Sequence, residues 1–573
     1  MLLSFFNPLQ LIGVSMNHSS NLKKLAFLIL ISFTFLNCGG GGSSSPSAAN
    51  TNSTGEDELA KEEYKGLVFY KENLSSSNYR LKQLNDAKFN QLTPNQKLHV
   101  ADTLLSTLFF AYPIKTLQSK IESQTFIEDV RNALSEDKVD TEVLENYIID
   151  EDIFQQSNYN EQVAVDILTR FYAMQELDSY FFKNWTAYIL TQTIMFSPAY
   201  ELDSSHTPNI ARVYNRIVRM LTVDSGMRYI TYVHMMSEDN WRRFRSPEDN
   251  GREMLEIFTL DMNDAHVPLA GKALQNWKLD RDNDTLVVSL NQNKTPLKLF
   301  GTTIYNGDDF FRELVKSDAF VTGVSTRLVN FFFPNKTVSK QEKIINSIVK
   351  SHPETWQDIL LQIIFSEEYL LHNNRAKSAE ELFFSFAKKS DFKHNKGTFH
   401  DLKRALDKMH QATMKYKLGK LERVPLDTLS FANYHKYIRE RVLLRDSNPN
   451  NADNYSAWNR QGWSRSFLDN QNFNFNEYYA IESLESFINY LFQITVARNA
   501  YNDEMQFFKN HMLRNKNDND TTKVIDDRFN LATRRDDLKD EKNRREARKV
   551  NIAIIVLDYI SRLSETYKQQ EVK

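Results

Sequence analysis

The chain has 573 residues, 41% of them apolar, 12% aromatic and 25% charged, with a formal net charge of −3. That supplies a large apolar core, and the near balance of charge argues against a surface built to track phosphates, so nucleic acid is not an expected partner. The only cysteine is Cys38, which excludes internal disulfides, cysteine-ligated zinc and thiol chemistry beyond it.

Cys38 ends an apolar run. Lys23 and Lys24 precede Leu25–Phe35, then come Leu36, Asn37, Cys38 and four glycines. A short cationic stretch, an apolar segment short of a comfortable span and a cysteine make the layout of a bacterial lipoprotein signal. Phe35 and Asn37 depart from the Leu and small residue usual in that signal. Met1–Val14 is itself apolar, so a start at Met16 gives a leader of ordinary length. Residues 1–37 are read as the signal peptide and 38–60 as a polar, Gly/Ser-rich tether. Removing the leader takes away Lys23 and Lys24 and no acid, leaving 69 basic and 74 acidic side chains, a net charge of −5. The expected location is the cell envelope, lipid-anchored through Cys38. The outer membrane is favoured over the inner because Gly39 and Gly40 replace the aspartate that resembles a retention signal. No later stretch is apolar and long enough to span a bilayer.

The body, residues 61–573, reads as mainly α, a large multi-helix bundle with a division near residue 390. Sixteen glycines and 13 prolines punctuate the chain too sparsely for a strand-and-turn protein. Helical spacing of apolar residues runs through Val100–Tyr112, Trp356–Leu371, Ala480–Ala497 and Ile552–Leu563. The mixed charges of Arg534–Lys549 suit a solvated helix. One small hairpin is predicted near 285–300, pairing Leu286–Leu290 with Leu297–Phe300 across Asn291-Gln292-Asn293.

The segment Ser246–Leu260 has the clearest local physics. Ser246 suits an N-cap, Pro247 the first helical position, and Asp249 approximates a capping box. Asp249, Arg252, Glu253 and Glu256 then share one helix face, with Met254, Leu255 and Phe258 turned to the core. Such a face is either a binding or catalytic surface or a polar network tied to Arg242, Arg243 or Arg245. Glu253 and Glu256, a turn apart, are the candidate acid–base pair. Asp280, Asp282 and Asp284 begin like a calcium loop, but Thr285 replaces the required glycine and Asn291 the bidentate glutamate, so the plain reading is a polar turn. His394 and His400 lack the spacing of a helical zinc pair. Phe331–Phe333, Phe383-Phe384 and Tyr478-Tyr479 read as core. Trp277, Trp458 and Trp463, in expected loops, are the candidates for stacking on a ligand. No cofactor is indicated.

Several of these stretches resemble the bacterial domain-of-unknown-function family 1800. Ser246–Leu260 is similar to its Asn-Glu-Asn-x-x-Arg-Glu-x-x-Glu-Leu-x-Thr-Leu run. Ala273-Leu274-Gln275-Asn276-Trp277, Lys298–Gly301, Ser366-Glu367-Glu368-Tyr369, Lys377-Ser378-Ala379-Glu380 and Gly462-Trp463 follow in the family's order. The likeness covers about residues 95–565. Asp261 and Asn276 stand where the family has glycine, and its Arg-x-x-x-Gly element is missing around Phe109–Pro113. The resemblance implies a helical, exported protein and carries no catalytic residues. The expected function is therefore that of an envelope scaffold binding a protein or an envelope polymer. The alternative is an envelope hydrolase using Asp249, Glu253 and Glu256.

Overall fold

A computed structural model describes residues 78–136, 159–195, 285–288, 295–391, 428–438, 480–512 and, with short gaps, 209–280, 399–409 and 549–572. All belong to the compact unit Glu56–Lys573. The architecture is mainly helical. The first long helix, α1 (Pro94–Thr107), opens with a capping box in which Thr93 and Gln96 exchange side-chain and backbone hydrogen bonds. That cap sets its start upstream of the apolar run at Val100. Next come α2 (Ile114–Ile121), α3 (Phe126–Ser135), α4 (Tyr159–Ala173), α5 (Ser179–Thr193), α6 (Ile210–Thr222) and α7 (Met227–Met235). Every residue of α5 is buried, so it runs through the core. Phe109 follows α1 in the left-handed region (φ 58°) and packs edge-on against Phe171 and Tyr188.

Helices α8 (Pro247–Thr259) and α9 (Val267–Ala273) lead into the β excursion. It contains two antiparallel pairs: β1 (Lys278–Asp280) with β2 (Thr285–Val287), and β3 (Leu297–Leu299) with β4 (Thr302–Ile304). The expected pairing of Leu286–Leu290 with Leu297–Phe300 is thus corrected, since each strand pairs with its own neighbour. Phe300 and Gly301, at φ 55° and 72°, form the two-residue turn between β3 and β4. Two positive φ values match the twist of a tight hairpin, and so short a loop closes more readily than one through 291–293. Residues 291–293 lie outside the described residues.

Helices α10 (Gly307–Lys316), α11 (Asp318–Phe332), α12 (Val338–Val349), α13 (Trp356–Ile364), α14 (Ala379–Lys389) and α15 (Leu484–Val496) follow, with a further helix at Thr428–Ile438. Apolar residues from both sides of residue 390 share one core. Phe331–Phe333 and Phe383-Phe384 lie in it; Tyr478-Tyr479 fall outside the described residues. None of the described helices is long and apolar enough to cross a membrane.

Both ends of the described chain fasten the same stretch. Leu84 N–H donates to Phe365 O at 2.8 Å and Glu367 N–H to Lys82 O at 2.9 Å. From the other end, Lys377 N–H donates to Tyr567 O at 2.8 Å, Gln569 N–H to Arg375 O at 2.9 Å, and Val572 N–H to Leu371 O at 2.7 Å.

Candidate functional site

Helix α8 carries the acidic face. Ser246 is extended and its Oγ accepts the Asp249 N–H at 3.1 Å, with Pro247 in the first turn. Glu248 and Asp249 set negative charge at the positive helix end. Met254, Leu255 and Phe258 are buried in the core. On the other side, Asp249, Glu253 and Glu256 are half-buried and Arg252 is exposed. Arg252 pairs with Asp249 at 2.7 Å and lies 4.0 Å from Glu253.

Two close helix contacts fix this face. A Cβ on Gly251 would fall 2.7 Å from Ala270 Cβ, so α9 sits almost backbone to backbone on α8. A Cβ on Gly323 would fall 2.3 Å from Phe258 O, which places α11 equally close on the other flank. One turn beyond Gly323, Arg327 donates to Glu256 O at 2.6 Å and Ile257 O at 2.7 Å. These are among the last carbonyls of α8, which have no partner within the helix. Burial lowers the Arg327 guanidinium below its ordinary value, while Glu253 and Glu256 pull it back up. The cation over the end of the acidic face is therefore Arg327. Of the partners expected from sequence, Arg243 and Arg245 lie outside the described side chains and Arg242 is buried.

After α8 the chain turns at Leu260 (φ 56°) into a self-bonded loop. His266 Nδ1 meets Asp261 Oδ2 at 2.5 Å, and Asn263 Nδ2 lies 3.3 Å from His266 Nε2. The left-handed position is Leu260, so Asp261, where the resembled family has glycine, is free to hold the histidine.

Trp277 is core and not a ligand platform. It is 2% exposed, stacks on Trp241 at 5.8 Å between ring centroids, and meets Phe311 edge-on. Gly307 leaves no room for a Cβ against its indole. Asp280 ends β1 opposite Thr285. Asp282, Asp284, Trp458, Trp463, His394 and Cys38 lie outside the described residues. Among the described residues no group of three or more His, Cys, Asp or Glu is placed to hold a metal.

A second polar centre escaped the sequence reading. All eleven residues of α14 are buried, Glu380, Glu381, Lys388 and Lys389 among them. Ser378 caps the helix in a capping box with Glu381. Arg375, fully buried, donates through Nη1 to Glu381 Oε2 at 3.0 Å and through Nη2 to Oε1. Its Nε reaches Tyr369 Oη at 3.0 Å, and that hydroxyl also meets Thr107 Oγ1 at 2.8 Å. Burial alone would lower the Arg375 guanidinium, but Glu381 and Tyr369 outweigh it and hold it charged. Alongside, Asp102 of α1 accepts Lys389 Nζ at 2.8 Å and Ser385 Oγ at 2.5 Å. Burial opposes the Asp102 charge, yet Lys389 and Lys377 keep its carboxyl below the ordinary range. The stretches Ser366–Tyr369 and Lys377–Glu380, singled out separately, thus converge on Arg375 and α14.

Comparison of the chain with protein-family models, curated proteins and solved structures finds no match. The residues themselves carry the argument. An arginine in the coil before α14, caged by Glu381, and a lysine–aspartate pair between α14 and α1 can orient those elements; at 0–5% side-chain exposure they offer solvent no reacting group.

Lys388 gives this centre a pH dependence. Its Nζ donates to Met174 O at 2.8 Å, at the C-terminal end of α4, and sits 4.2 Å from the Phe110 ring centroid. Burial pushes its ammonium down to about 7. Between there and the ordinary lysine value of 10.5, the unfolded chain holds a proton that the folded chain lacks. Stability from this group therefore rises with pH across that window, and the burial penalty is complete below it. The unfolding free energy from urea titration of the native protein relative to Lys388→Met is expected to climb with pH, by up to about 1.4 kcal/mol per unit. Parallel profiles for the two proteins would refute the assignment.

Proposed function

We propose that the protein is an envelope lipoprotein, acylated at Cys38, whose helical body binds a protein or an envelope polymer as a scaffold. The observation that carries this reading is the leader Leu25–Leu36 ending at the sole cysteine and followed by a polar, glycine-rich segment. Outer-membrane placement and kinship with the family 1800 class belong to the same proposal and rest on the residues quoted for them. The geometry of the body supports a scaffold. Arg252 engages Asp249 on its own helix, and Arg327 ties the last carbonyls of that helix to α11, which leaves part of the acidic face paired and its end fastened to a neighbour.

An alkyne fatty acid fed to expressing cells is expected to label the native chain and not Cys38→Ser, and the label should pellet with membranes. An unlabelled native chain found free in the cytosol would overturn the anchor. Envelope extract passed over the immobilised full-length protein then identifies the bound partner. The hydrolase reading draws on the half-buried carboxylates of Glu253 and Glu256. Turnover of an envelope polymer that is lost in Glu253→Gln would favour it and sink the scaffold.

A further inference from the structure

The first described residues, from Asn78 on, pack along one side of α12. The Lys340 ammonium lies 4.7 Å from the Tyr79 ring centroid, and Leu81 N–H donates to Ser347 Oγ at 2.7 Å. In an extended segment alternate side chains face opposite ways. Tyr79 and Leu81 turn inward, and Arg80 and Lys82 are exposed. Lys340 and Lys343 are a turn apart on α12, and Lys336 lies in the turn just before it. Glu368 takes both Lys336 and Lys340 at 2.7 Å, and Glu342 is an exposed acid beside them. Arg80, Lys82 and Lys343 have no ion pair among the described residues, so the rim keeps a positive excess.

We propose that this rim is a docking surface for a bilayer containing anionic phospholipid. The inference rests on the lipid anchor proposed above, because acylation at Cys38 would confine the chain near a membrane. Unpaired cations attract anionic headgroups over roughly a Debye length. Once the anchor confines the body near the bilayer, even weak surface attraction is amplified by effective concentration.

The test uses the full-length acylated protein in phosphatidylcholine vesicles with and without phosphatidylglycerol. Amine acetylation of Lys82 and Lys343 is read against exposed Lys272 on α9. On phosphatidylglycerol vesicles at low salt, labelling of both should fall about fivefold, the effect expected of one interfacial charge. It should recover in high salt, in pure phosphatidylcholine, and at Lys343 in the Arg80→Glu, Lys82→Glu variant. Equal labelling of Lys82 and Lys343 on the two vesicle types overturns the docking surface and leaves the anchor standing. A chain that carries no acyl group sinks the anchor instead. The rim is then read by sedimentation of that same chain with vesicles. Phosphatidylglycerol-dependent pelleting lost on reversing Arg80, Lys82 and Lys343 supports it, and pelleting indifferent to those charges overturns it.

Discussion

Arg375→Leu is expected to destabilise the protein by about 3–5 kcal/mol, the cost of leaving a buried charge without its partner. The arginine bridges Glu381 and Tyr369, and both it and the Glu381 side chain are almost fully buried, at 0% and 3% exposure. Leucine restores volume and no charge, so Glu381 would face the core unmatched just where it also holds the Ser378 N–H at 2.8 Å. Arg375→Lys should recover only part of the loss, because an ammonium cannot reproduce the planar fork that meets both carboxylate oxygens. Removing both charges together, as Arg375→Leu with Glu381→Met, is expected to cost less than Arg375→Leu alone. Denaturant midpoints decide the matter. A single variant as stable as the native protein, or a double variant worse than the single, would show that the pair does not carry this weight.

Gly323→Ala should cost about 1–3 kcal/mol, in the range of overpacked cores. Its added methyl would meet Phe258 O at 2.3 Å and Thr259 Cα at 2.9 Å. Both are backbone atoms, so no side chain can swing aside, and α11 must move away from α8. That shift would also draw Arg327 off the Glu256 and Ile257 carbonyls it holds. Gly226→Ala is the control, since its methyl would find Glu354 O at an ordinary 3.5 Å. Equal urea midpoints for the two variants would sink the close-contact argument.

What the sequence disclosed and what it withheld follow from range. The start of α8 was legible because Ser246, Pro247 and Asp249 act on neighbouring amides. The core side of the same helix was legible because Met254, Leu255 and Phe258 repeat at its period. Arg327 was not, since it meets α8 from about seventy residues away, though a single cation inside the apolar run 318–333 was a signal. Trp277 was misplaced because loop position hid the close approach of Gly307 and the stacking of Trp241. The buried centre was missed for a related reason. Four charges in an eleven-residue helix suggest a wet surface, and only the assembled neighbours Tyr369, Arg375 and Asp102 keep them dry.

The seam at 365–377, bound from one side by residues 82–84 and from the other by residues 567–572, sets an order of events. Pairs that distant in sequence form late, because the loop between them must first be closed. A growing polypeptide therefore reaches residue 560 with this strip still lacking its final neighbours, and cannot yet lock shut. Under the export proposed above, such tardiness would be useful: the strip would stay pliable during passage and set only once residues 567–572 had followed.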